Sequence, residues 1–203
     1  SEEKFIGTTH SLGCINCHGG VEGATEMEAA HEGMEPNPDS ATTCAPCHAE
    51  ITEADAGSLH TNLTGYATNL YARSSEEHQP ALDEMMDNHC NRCHTSCGQC
   101  HVIRPSNLGG GLHSGHEFKQ IPPMNLTCTG CHGSRVNEEY KGRNEGVPAD
   151  VHWIQGGMAC FECHSSDAMH GQTEISAGAH RYDGAPEPSC QGCHQVEAGG
   201  NPM

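Results

Sequence analysis

The sequence is short of the side chains from which proteins build their interiors. Of 203 residues, 34% are hydrophobic and 4% aromatic, with one Trp, four Tyr and three Phe against 25 Gly and 11 Pro. An ordinary apolar core is excluded, because so little apolar surface cannot offset the entropy lost when the backbone is ordered. Positive charge is scarce too: 9 Lys and Arg against 27 Asp and Glu give a net charge of −18. That balance excludes a nucleic-acid partner, since phosphate backbones are gripped by clustered Lys and Arg. No apolar run approaches the ~20 residues that cross a bilayer, so no transmembrane segment is expected. The start, Ser1, Glu2, Glu3 and Lys4, has no signal-peptide pattern. Something other than side chains must supply the interior.

What is abundant is cysteine and histidine, 14 and 17 residues. Every cysteine falls in a C-x-x-C-H unit: Cys14, Cys17 and His18; Cys44, Cys47 and His48; Cys90, Cys93 and His94; Cys97, Cys100 and His101; Cys128, Cys131 and His132; Cys160, Cys163 and His164; Cys190, Cys193 and His194. Positions three apart share one face of a helical turn, so both sulfurs can meet one porphyrin edge while the next residue turns under the iron. In this motif the thiols form thioethers to haem and the histidine supplies the proximal axial nitrogen. Zinc sites pair two C-x-x-C units per ion and have no need of His after each second Cys. Disulfides would not impose one spacing seven times. The cofactor expected is therefore seven haem c. At such density the porphyrins become the core, and the chain without them should not fold.

Motifs begin at 14, 44, 90, 97, 128, 160 and 190, at intervals of 30, 46, 7, 31, 32 and 30 residues. This is a loose repeat with one insertion and one compressed pair, and no composition shift marks a boundary, so residues 1–203 read as a single elongated domain. The fold class expected is mostly irregular coil with short α-helices wrapped around a haem core and very little β. The insertion, Ala49 to His89, carries the best helical text: Gln79, Pro80, Ala81 and Leu82 open a helix with Pro in its first turn, and Leu82, Met86, Cys90 and Cys93 follow at helical spacing. Haems three and four should be close neighbours, because seven residues cannot separate their attachment points by more than ~25 Å. Gly- and Pro-rich stretches, such as Asn107 to Gly111, Ile121 to Met124 and Gly184 to Pro188, read as irregular.

Seven histidines are proximal, leaving His10, His31, His60, His78, His89, His113, His116, His152, His170 and His180 for the distal positions. A surplus of candidates favours two histidines on every iron, the closed arrangement suited to electron transfer. The expected distal set is His10, His31, His60, His116, His152, His170 and His180, each with enough chain to reach another haem. His89 abuts Cys90, His78 lies at the helix start, and His113 competes with His116. The eight Met have no fixed relation to the motifs and read as packing around porphyrin. Arg135, Lys141 and Arg143 flank Tyr140 and read as ordinary surface and propionate counter-ions rather than a substrate patch. Asn62 and Asn125 sit in N-x-T glycosylation patterns, which are common by chance.

On its seven motifs the chain resembles the multihaem c-type cytochromes over nearly its whole length. The runs Cys128 through Gly133, Ser134, Arg135, Val136 to Asn144, Glu145, Gly146, and His152, Gly156, Gly157, Met158, Cys160, Cys163, His164 with Met169, His170, Gly171, resemble segments of such cytochromes from anaerobic respiratory prokaryotes. The resemblance implies distal roles for His152 and His170. It also implies electron transfer rather than catalysis: reductases of the wider class often carry Lys for the proximal His, and all seven motifs here keep His. Some members polymerise into extracellular filaments, so the expected partners are other copies in a head-to-tail array, together with redox proteins or extracellular metal and mineral acceptors. Haem attachment outside the cytoplasm implies an extracellular or cell-surface location, with the periplasm as alternative and an export signal already removed. The expected outcome of an alkaline pyridine haem assay is seven haems per chain, retained through acid–acetone extraction; loss of colour to the solvent would contradict thioether attachment.

Overall fold

The computed structural model describes residues 8–62, 64–89, 96–171 and 193–194. Cys90, Cys93, His94, His180 and Cys190, together with the side chains of His89 and Arg135, lie outside the described residues, as does the expected continuation of the helix into the third motif. Helical turns make up about 53% of the structure and strand about 1%, and there is no sheet among the described residues. Helix and irregular backbone thus share the chain about equally, and the expectation of short helices with very little β holds. Pairing in the β sense is confined, among the described residues, to isolated bridges at Ile103 with Leu112 and Ser114 with His116.

Most of the described helices are a turn or so long, and four of them coincide with motifs: Cys14–His18, Cys97–His101, Cys128–Cys131 and Cys160–Cys163. Their isolation follows from nucleation cost, since helices this short do not stand without something to pack on. The second motif differs. A wide turn, Ser40–Cys44, opens with the Asp39 carboxylate accepting from the Thr42 N–H at 3.0 Å, and leads into the helix Ala45–Asp55. His48 breaks that helix, with φ −121° and ψ 41°.

The insertion is more helical than its sequence suggested, with Leu59–Asn62 and Thr64–Tyr71 preceding the expected helix, observed as Gln79–His89. Its most deeply buried described residue is Ser58, 1% exposed. The Ser58 hydroxyl donates to Asp55 at 3.0 Å and accepts from the Thr61 N–H at 3.1 Å, while the Thr61 hydroxyl donates to the other Asp55 oxygen at 2.9 Å. This is an N-cap that also satisfies its neighbours, and it sets the direction of the short helix carrying His60.

The polypeptide buries almost nothing apolar. Among the described residues only Val102 and Met124 are buried hydrophobics, while Met27, Ile154 and Ile121 are 77%, 67% and 60% exposed. The accessible surface is 14379 Å², where a compact chain of 21.6 kDa would show about 9,200 Å². Backbone packs closely only at a few crossings. At Gly171, φ is +72°, and a Cβ would stand 2.6 Å from the Ala54 carbonyl oxygen and 2.7 Å from the Ser58 nitrogen. This crossing holds the segment of His170 against the segment of His60. Gly171→Ala should destabilise the protein as purified by about 1–3 kcal/mol, through a left-handed backbone and backbone contacts that cannot yield; chemical denaturation checks it, and an unchanged midpoint would contradict the crossing.

Candidate axial-ligand and attachment sites

Histidine rings meet in pairs. His10 faces His48 at 6.1 Å between ring centres, His18 faces His116 at 6.1 Å, His60 faces His132 at 6.2 Å, His101 faces His170 at 6.2 Å, and His152 faces His194 at 6.0 Å. Each pair joins one motif histidine to one histidine outside the motifs. The interplanar angles are 20°, 87°, 90°, 7° and 50° in the same order. Ordinary aromatic packing spreads over about 4.5–7 Å and depends on tilt. Here the separation stays constant while the tilt runs from parallel to perpendicular. A spacing indifferent to rotation about the line joining the rings is what two ligands on one metal atom produce. A metal–imidazole bond of about 2 Å and a ring radius of about 1.1 Å, both doubled, give about 6.2 Å.

The outer ring nitrogens are engaged in a way that leaves the inner ones available. His18 Nδ1 donates to the Glu35 carbonyl at 2.9 Å while the Glu35 N–H donates to the His18 carbonyl at 2.7 Å. His101 repeats this with Lys119, at 2.6 Å and 2.8 Å. On the non-motif side, His152 Nδ1 donates to Asp150 at 2.9 Å and His170 Nδ1 to the Ser166 carbonyl at 2.9 Å. A proton held on Nδ1 fixes the tautomer that leaves the Nε2 lone pair for metal. Desolvation lowers the pKa of His10, with His48 adding to it, and lowers that of His132, with His60 and His164 adding; both favour the neutral ring that ligation requires.

His113 is arranged the other way round. Its Nε2 donates to the Cys100 carbonyl at 3.3 Å and stands 3.3 Å from the Thr127 hydroxyl, with Nδ1 buried and unpaired. It ties the fourth motif to the approach of the fifth, and His116 is the one of the two that faces a motif ring. His78 Nδ1 meets the Ser75 hydroxyl at 2.7 Å on the exposed start of its helix. His31 is exposed at the end of Met27–Ala30, and no described ring faces it or His164.

None of the eleven described cysteines is in a disulfide. Thiols of different motifs come together, Cys44 with Cys97 and Cys128 with Cys160. Burial first, then the Cys97 contact, pushes the Cys44 thiol up to about 11. Burial does the same for Cys100. The hydrogen bond between Cys128 and Cys160 raises the first and lowers the second to about 7. Cys128, His132, Cys160, Cys163 and His164 of two motifs line one open cleft of about 500 Å³ with Met124 and Tyr140. The basic residues beside it are engaged: Lys141 lies 5.0 Å from the Trp153 ring centre and donates to Asn125, and Arg143 pairs with Glu138 at 3.2 Å.

No group of three or more His, Cys, Asp or Glu converges on a metal-sized point among the described residues, and no described helix is long and apolar enough to cross a membrane. The chain matches no protein-family model, no curated protein and no solved structure.

His113→Gln and His116→Gln distinguish the two neighbours. The first should cost about 1 kcal/mol of stability through its lost hydrogen bonds and leave the visible spectrum of the oxidised protein unchanged; the second, if the His18–His116 pair holds an iron porphyrin, should convert that site to a high-spin form. The reverse result would exchange their roles.

Proposed function

We propose that the chain is a seven-haem c-type cytochrome that moves electrons through closely spaced haems, each iron held between two histidines. The observation that carries this reading is the constant ring spacing across five motif and non-motif pairs. A haem would be held by the facing histidines at its iron and by the two thiols that each motif's sequence offers for thioether attachment. When bound, the haem supplies an iron that takes up and releases one electron. The chain's own residues fix its axial ligands, hold the Nδ1 protons of His18, His101, His152 and His170 on oxygen acceptors, and close both axial faces. Such closure favours electron transfer over substrate binding at iron.

The porphyrins would also complete the interior, covering the large surface the polypeptide leaves open. Within the same reading, copies assemble head to tail outside the cell and pass electrons to redox proteins or to metal and mineral acceptors. A repeating contact that does not close makes an open filament. Electron microscopy of natively purified material is expected to show filaments; dispersed single particles would instead make this a discrete carrier.

The tilts generate a spectroscopic test. Parallel imidazole planes split the iron π-type d orbitals and give rhombic low-spin signals, whereas perpendicular planes leave them nearly degenerate and give highly anisotropic ones. The oxidised protein should show both classes by electron paramagnetic resonance, rhombic for the His10–His48 and His101–His170 sites and highly anisotropic for His18–His116 and His60–His132. A spectrum with high-spin ferric haem as its main component would contradict bis-histidine ligation.

A further inference from the structure

Four consecutive residues, His116, Glu117, Phe118 and Lys119, touch three motifs. His116 faces His18 of the first motif at 6.1 Å. Phe118 stacks on His10 at 4.0 Å with its plane 15° away, and His10 in turn faces His48 of the second motif. The Lys119 backbone makes both hydrogen bonds with His101 of the fourth motif, its carbonyl accepting from Nδ1 at 2.6 Å and its N–H donating to the His101 carbonyl at 2.8 Å. The Lys119 ammonium pairs with Glu117 at 2.8 Å along the same stretch. Four residues span at most ~14 Å even when fully extended, so ligand groups of the first, second and fourth motifs gather around one short strap. An independent contact agrees: the Cys97 N–H, opening the fourth motif, donates to the Ser40 hydroxyl at 3.3 Å, in the turn that ends at Cys44 of the second.

We infer that the strap His116–Lys119 is the positioning element of a three-haem cluster built from the first, second and fourth motifs, with the second and fourth attachment sites direct neighbours although the third motif separates them in sequence. The inference rests on the haem reading above. The strap does a different task at each site. At the first it supplies the ligand itself. At the second it supplies a flat hydrophobic face, which sets the rotation of the His10 ring about its bond to iron. At the fourth it supplies the carbonyl that holds the Nδ1 proton of His101 and sharpens its donor character. Phe118 touches no iron and is a positioning residue acting through His10.

The test uses the holoprotein. Phe118→Leu removes the flat face and leaves a side chain of similar bulk, and Phe118→Tyr restores the face. Phe118→Leu should keep seven haems by mass while the low-spin signal of one haem in seven moves from the rhombic towards the anisotropic class, and Phe118→Tyr should return it. A Leu variant with a wild-type spectrum would overturn the positioning role. If Phe118→Leu fails to accumulate, a cryo-electron microscopy map of the unaltered protein decides: the inference expects the second and fourth irons as neighbours with none between them, and an iron of the third motif interposed would overturn it. A chain lacking covalent haem altogether would show instead that the haem reading had failed.

Discussion

The structure depends on one separation, the gap of about 6 Å between facing imidazoles. A gap of that size between two rings is poor packing by itself, because the rings are too far apart for broad contact. It becomes favourable only when something fills it and bonds to both nitrogens. Five such gaps, joining parts of the chain remote in sequence, account for how a polypeptide with almost no buried apolar side chain holds a defined path. On the proposed reading, structure and cofactor are one problem, as in small domains whose metal-binding energy is their folding energy.

The protein's own bonds are spent on aim. The Ser58 cap directs His60, the Gly171 crossing brings His170 alongside, and the reciprocal backbone pairs at His18 and His101 lock ring orientation and tautomer. These are local devices with short reach, and the facing rings carry the long-range order. Irregular backbone suits this division of labour, since on the proposed reading a ligand would approach each iron from whichever direction the neighbouring haems leave open. The acidic surface and the engaged state of Lys141 and Arg143 fit a molecule whose few cations serve its own interior edges.

The proposed attachment sites are legible in the sequence because covalent haem binding is written locally: two thiols and an imidazole lie within five residues. The sequence also pointed to His10, His31, His60, His116, His152, His170 and His180 as distal candidates through their supply of free chain; five of these face motif rings, His31 faces no described ring, and His180 lies outside the described residues. The partnerships were not legible. Nothing in the spacing says that His116, beyond the fourth motif, turns back to the first, or that His60 serves the fifth, because pairing is decided by how the repeats stack. The helices Leu59–Asn62 and Thr64–Tyr71 were missed since they lack a strong apolar stripe. The Nδ1 acceptors at Glu35 and Lys119 are main-chain atoms, which leave no mark in residue identity; only their similar offset, 17 residues after His18 and 18 after His101, could have hinted at them.

The most direct measurement is the position of iron. Anomalous X-ray scattering at the iron edge, from crystals of the haem-loaded protein, should place an iron atom midway between the rings of each facing pair, from His10 and His48 through to His152 and His194. Iron located away from those midpoints, or zinc held by cysteines of two motifs, would contradict the account.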